Sequence, residues 1–354
     1  MLSYSSLSPY QQCAISSAMV PRRLPALAAL SLAISFSALA QEKACQHRIL
    51  PVALRDSQNL PVPNISPADL DAKVHGKSVK ILSLAPDSRP HRLVLILDAS
   101  GSMGSIDGEP PRWKLAFVLA RHFFERNSQK SQIALIVFND QVNEVVDFTP
   151  ENSAIAAKLQ QMARDHDYAK ANVKGKTALR DAILQGLQLL DHPNSADALY
   201  VLTDGGDNAS THSAADLTRR LGVTSVRVFA VLLQGGLRNH SWTPEEVSGP
   251  NELSDLSRRS GGEVLSAAAW QGDRIGLTAD AEGRLKTAET LSRLYQTILQ
   301  DSLLEIELPF PIAKTERWEL GLSAPARRRW KDVQITYPAA LLSCASEVYG
   351  SGRH

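Results

Sequence analysis

Leu93-Val-Leu-Ile-Leu-Asp98-Ala-Ser100-Gly-Ser102-Met-Gly104 is the stretch that decides how this chain folds. Five consecutive apolar residues, Leu93 to Leu97, run straight into Asp98, and Ser100 and Ser102 follow at alternate positions. An unbroken apolar run of this kind reads as a strand buried on both faces, as in a parallel sheet covered by helices. The polar cluster then falls at the carboxyl end of the strand, the edge where open α/β sheets bind ligands. One carboxylate and two hydroxyls are hard oxygen donors, the type that Mg²⁺ or Mn²⁺ prefers. A Ser/Gly turn that merely closes a strand reads the same over so short a stretch, so the rest of the chain has to decide.

Downstream, apolar runs and helical stripes alternate. Strands are expected at Gln132–Phe138, Asn143–Phe148 (an edge), Ala198–Leu202, Val226–Leu233 and Glu263–Ser266. Helices are expected at Trp113–Glu125, Ser153–Arg164, Thr177–Leu190, Ser213–Leu221 and Asn251–Arg259, the last stopped by Gly261-Gly262, with a closing helix at Thr287–Leu303. The first of these places Leu115, Val118, Leu119, His122 and Phe123 on one face. This alternation predicts an α/β fold with a doubly wound, mostly parallel sheet and helices on both faces. Two stretches, Gln234–Pro250 and Ala267–Lys286, fit no element. Both follow strands and so emerge at the same edge as Asp98, where long loops tend to carry function. On either side, 41–90 and 304–354 hold short apolar pieces broken by Pro and Asp (Ile49–Leu54, Val79–Leu84, Trp318–Leu322, Val333–Tyr337), which read as β segments flanking a domain at 91–303.

The first 40 residues read as a secretory signal peptide. Arg22 and Arg23 precede an Ala/Leu-rich run that ends Ala38-Leu39-Ala40, and Met19 is the expected true start. The run is too short to be a membrane span, so the mature chain is expected to be exported, periplasmic or extracellular, without a transmembrane segment. Removal of the leader leaves Cys45 and Cys344, and an even pair in an oxidising compartment predicts a disulfide between them. A net charge of +1 over 354 residues leaves no basic face for a polyanion, which argues against nucleic acid.

Three polar points converge on one edge in this reading: Asp98-x-Ser100-x-Ser102, Thr177 at a helix start, and Thr203-Asp204-Gly205 after a strand. Enzymatic alternatives fit less well. Gly175-Lys176-Thr177 looks like the end of a phosphate-binding loop, but Lys170 stands where that loop needs its first Gly. Asp98-Ala-Ser100 lacks the second Asp that would act as general acid in phosphotransfer. A serine hydrolase would need a relay from His166, His192, His212 or His240, none of which sits in a recognisable motif.

The five positions resemble the metal-ion-dependent adhesion site of the von Willebrand factor A domain family, in the family's order and in the expected elements, over about residues 91–303. The resemblance implies that Ser100, Ser102 and Thr177 bind Mg²⁺ or Mn²⁺ directly. It also implies that Asp98 and Asp204 act through water or through hydrogen bonds to the hydroxyls. Neutral hydroxyl donors leave the ion with residual positive charge, to be met by a carboxylate from a protein partner. A weaker resemblance links the leading segment, Ile65-Ser-Pro-Ala-Asp69-Leu70 and Val74-His-Gly76-Lys77, to the secreted VWFA-related acidobacterial domain family. The function expected is metal-dependent protein binding or adhesion without catalysis. An envelope scaffold with a structural metal is the alternative, and a metal-assisted hydrolase a third.

Overall fold

The computed structural model describes residues 46–57, 60–87, 91–104, 112–165, 167–191, 193, 197–222, 224, 226–234, 244–268, 302–341 and 343. The expected leader at 1–40 with Met19, the Cys45–Cys344 pair, residues 235–243 and 269–286 of the two long loops, and most of the closing helix lie outside those residues.

The apolar run Leu93–Leu97 lies inside a six-stranded sheet. In chain order its strands are β5 (His91–Asp98), β6 (Ser131–Phe138), β7 (Val142–Val146), β8 (Ala198–Thr203), β9 (Arg227–Gln234) and β10 (Val264–Ala268). They lie side by side as β10-β9-β8-β5-β6-β7, all parallel except the antiparallel edge strand β7. Leu93 to Leu97 are each 0% exposed, because successive side chains feed two different cores. Leu93, Leu95 and Leu97 pack against α1 (Arg112–Asn127), α2 (Ser153–Arg164) and α3 (Tyr168–Asn172). Val94 and Ile96 face α4 (Leu179–Leu189), α5 (Ala214–Leu221) and α6 (Pro244–Ser260) on the other side. This is the doubly wound α/β architecture expected, with helices on both faces.

Three details differ from expectation. The buried face of α1 is Trp113, Ala116, Leu119, Ala120 and Phe123, while His122 is exposed and Leu115 and Val118 are half-buried. Small residues at 116 and 120 let the helix lie close to the sheet, so the stripe is rotated from the one that large apolar residues alone suggest. Helix α6 begins at Pro244 and runs through Gly249 and Pro250, two residues that read as breakers from sequence. The end of the expected closing helix is strand instead: Ser302 and Leu303 open β11 (Ser302–Glu307), whose backbone bonds go to strands on both sides.

The flanking segments pair with each other. β1 (His47–Arg55) lies between β11 and β13 (Gln334–Thr336), and β11 lies between β1 and β4 (Lys80–Pro86). A second four-stranded sheet holds β2 (Leu70–Val74), β3 (Lys77–Ser78), β12 (Glu316–Leu322) and β14 (Ala340–Leu341), and α7 (Ala324–Arg329) follows β12. Both sheets contribute to one core that includes Val52, Val74, Leu304, Ile306 and Trp318, whose indole N–H donates to the Pro338 carbonyl at 2.6 Å.

Gly186 fixes how closely α4 approaches the sheet. A Cβ there would meet Ile96 Cδ1 and Leu199 Cδ2 at 3.1 Å each, so the helix rests on β5 and β8 with hydrogen in place of a side chain. Gly186→Val should cost about 1–3 kcal/mol by overpacking, measured by urea denaturation. A loss below a few tenths would mean that α4 rides over this contact freely.

Candidate functional site

The strand order reverses at β5. From β5 the chain crosses through α1 to β6 on one side, then returns through β7 and α2 to α4 to place β8 on the other side. The crevice outside the carboxyl ends of β5 and β8 is therefore the topological switch point, where ligands bind in open α/β sheets. Asp98 is the last residue of β5, Thr203 the last of β8, and Asp204 the next. Thr177 arrives on the loop between α3 and α4. That loop is tied to the first by Lys174 N–H to the Ala99 carbonyl (2.9 Å) and by Gly101 N–H to the Gly175 carbonyl (3.0 Å). All five residues expected from sequence are brought to this edge.

Asp98 is 0% exposed, and both of its oxygens accept hydrogen bonds from neutral groups. Oδ1 accepts from the Ser100 N–H at 2.8 Å and Oδ2 from the Thr203 hydroxyl at 2.6 Å. The Thr203 oxygen in turn accepts from the Gly205 N–H at 3.0 Å. Burial, and then the nearby Asp204 carboxylate, push Asp98 up to about 7 against these bonds. The Ser100 and Ser102 hydroxyl oxygens stand 3.1 Å apart. Asp204 Oδ2 accepts from Arg112 Nη1 at 2.7 Å, and the same guanidinium reaches the Ser102 carbonyl at 3.3 Å.

The turn after Asp204 clasps Thr177. Its N–H donates to Asn208 Oδ1 at 2.9 Å, and its carbonyl accepts from the N–H groups of Asn208 and Ala209 at 3.0 Å each. With its main-chain polar atoms engaged, Thr177 is 5% exposed. Asp207 anchors the same turn by accepting from the Ser210 hydroxyl (2.7 Å) and the Arg180 N–H (2.8 Å). Gly205 makes the turn possible. At φ +94° the backbone is in the region that favours glycine, and a Cβ would meet Leu232 at 2.9 Å.

Asn208 and Arg112 were not singled out from the sequence, and Thr203 was read only as part of the Thr203-Asp204-Gly205 turn, with no role of its own. Thr203 had a signal, since it sits beside Asp204 at the end of a buried strand. Asn208 and Arg112 act across 31 and 92 residues, and no local pattern marks such contacts.

A small hard cation suits this donor set. In an octahedral Mg²⁺ site with metal–oxygen distances of ~2.1 Å, adjacent oxygens lie roughly 3.0 Å apart. The Ser100–Ser102 separation of 3.1 Å matches that edge. A buried carboxylate whose hydrogen-bond donors are all neutral also leaves its charge to be balanced by a cation. Among the described residues no three His, Cys, Asp or Glu side chains cluster, so a thiolate- or imidazole-rich site is not built here.

Because folding raises the Asp98 proton affinity, its contribution to stability is present below the ordinary carboxylate value of 3.8 and is lost as pH rises through about 7. Denaturation of the chelator-treated chain should show stability falling from about pH 5 to about pH 8, and Asp98→Asn, locked neutral, should flatten that slope. Asn208→Ala should leave the Thr177 amide without its acceptor and speed its hydrogen exchange by at least about fivefold, at a cost of about 1 kcal/mol. Unchanged exchange would mean that the clasp does not hold Thr177.

Residues 93–206 match the family model described as von Willebrand factor type A domain. No curated protein matches the chain. Among solved structures, it is similar to a conserved hypothetical protein, BatB, from Bacteroides thetaiotaomicron, with 15% identity over 57% of this chain and 98% of that one and a TM-score of 0.38. It is also similar to a von Willebrand factor type A protein from Catenulispora acidiphila (13% identity, 84% of this chain and 73% of that one, TM-score 0.41). A third similar structure is the PilB minor pilin from Streptococcus sanguinis (14% identity, 59% and 62%, TM-score 0.40). The match at 93–206 begins in the strand that ends on Asp98 and closes just past Asp204, and with the doubly wound sheet around it identifies a von Willebrand factor type A domain in this chain.

Proposed function

We propose that this is an exported protein that binds a macromolecular partner through a Mg²⁺ or Mn²⁺ ion held by Asp98, Ser100, Ser102, Thr177 and Asp204, with a partner carboxylate completing the ion's coordination. The observation that carries this reading is the pair of hydroxyls 3.1 Å apart beside a buried Asp98 whose hydrogen-bond donors are neutral. Ser100, Ser102 and Thr177 would donate neutral oxygens, and Asp98 and Asp204 would supply charge behind them. When bound, the ion supplies an electrophilic position to a carboxylate, because few direct carboxylates neutralise it. Export rests on the leader-like pattern of residues 1–40.

Two observations favour binding over the alternatives. The Ser100 and Ser102 hydroxyls hydrogen-bond to each other, which suits a pair of metal donors better than a nucleophile with its base. The three loops at the edge are joined by main-chain and Asn208 hydrogen bonds, which give them an organisation of their own beside any ion. This favours a ligand-facing ion over a purely structural one.

Calorimetric titration of the full chain with MgCl₂ or MnCl₂ tests the reading. Ser102→Ala should weaken binding at least about tenfold, that is, by about 1.4 kcal/mol or more. An isotherm identical to the wild type excludes Ser102 as a donor. Thr177→Ala should reduce capture of partner from an envelope extract to the level seen with EDTA, while the thermal unfolding midpoint stays near the wild-type value. Capture that survives both treatments would mean that the contact is not bridged by metal.

A further inference from the structure

We infer that Arg112 is the specificity-determining residue of this edge, lowering its affinity for the metal so that its affinity for an anionic ligand is high. The inference rests on the metal reading above and adds a residue outside the five donors.

Arg112 opens α1 and is only 8% exposed. Its Nη1 lies 2.7 Å from Asp204 Oδ2 and 3.3 Å from the carbonyl of Ser102, a proposed donor. A guanidinium and a divalent ion thus draw on the same carboxylate from adjacent positions. Both charges of the pair are nearly out of solvent, with side-chain exposures of 10% and 7%, so water screens them little.

Among the described residues, the buried charges gathered at the edge are Asp98, Asp204 and Arg112. Nearby charges are either matched or in solvent. Asp207 lies against Arg180 at 3.4 Å, and Asp140, Lys174 and Lys176 are exposed. Arg112 therefore makes this edge one charge more positive than it would be without the guanidinium, with or without the ion. With Arg112 removed, Asp204 would no longer be shared between a guanidinium and the ion. The ion would then be held more tightly and would attract an anion less. A residue that served only to fix α1 would move neither quantity.

Two titrations on the full chain separate these roles. Mn²⁺ affinity is followed by electron paramagnetic resonance of the free ion. Acetate is then added to the Mn²⁺-loaded protein, and its binding is read as loss of the water-proton relaxation enhancement. Arg112→Gln should bind Mn²⁺ about tenfold tighter and require at least about fivefold more acetate for half the relaxation change. Arg112→Lys, which keeps the charge, should stay within about twofold of wild type in both, and it covers the case in which the Gln variant folds poorly. Wild-type Mn²⁺ binding with unchanged affinities in Arg112→Gln overturns the role of Arg112 and leaves the metal site standing. Mn²⁺ binding by neither protein, or binding unaffected by Ser102→Ala, overturns the metal reading and this inference with it.

Discussion

The edge of this domain depends on one carboxylate with no access to water. Asp98 ends the strand whose apolar run, Leu93–Leu97, is wholly buried, and its two oxygens are held by a main-chain N–H on its own loop and by a hydroxyl from the neighbouring strand. That arrangement joins β5 to β8 at the switch point and fixes the backbone that presents Ser100 and Ser102. It also concentrates negative charge where desolvation makes it costly, which is why the group is driven toward neutrality and why a cation close by would be strongly favoured. Structural and chemical demands are met by the same atoms.

Around this point the loops form a rigid set. The turn after Asp204 supplies the acceptor and donors that hold Thr177, and the loop carrying Thr177 bonds back to the loop after Asp98. Thr177 is held by Asn208 from the turn after Asp204, and Asp98 by Thr203 from the neighbouring strand, so neither can shift without disturbing a second segment. Rigid presentation of this kind is what a small cation with strict coordination geometry requires. Arg112 is the exception, since its long side chain enters from a helix and its charge, more than its shape, acts on the edge.

The sheet was legible because its strands announce themselves: a run such as Leu93–Leu97, buried on both faces, has no other home in a domain of this size. That these five polar residues meet at one edge was legible because the strand–helix alternation decides which strand ends meet, while the family resemblance is what marked them as a set. What escaped were interactions decided by packing. The buried face of α1 turns on Ala116 and Ala120, which carry little hydrophobic weight in a periodicity argument. The first turns of α6 contain Gly249 and Pro250 and are helical all the same, with Gly249 lying against the Gly205 carbonyl too closely for any side chain. Asn208 and Arg112 bond across long sequence separations and have no local signature.

The pairing of the flanking strands bears on the order in which the chain can fold. Among the described residues the six-stranded sheet lies within residues 91 to 268, and its β5–β6, β8–β9 and β9–β10 pairs are each joined directly by one crossover. β1 is different: Leu50 finds its partner in Leu304, about 250 residues later. During synthesis, β1, β2 and β4 emerge first and wait, with their apolar faces uncovered, until β11 and β12 appear. The flanking sandwich can therefore close only after the domain it encloses has been made. For that interval the first strands to emerge are the part of the chain most open to mispairing and aggregation.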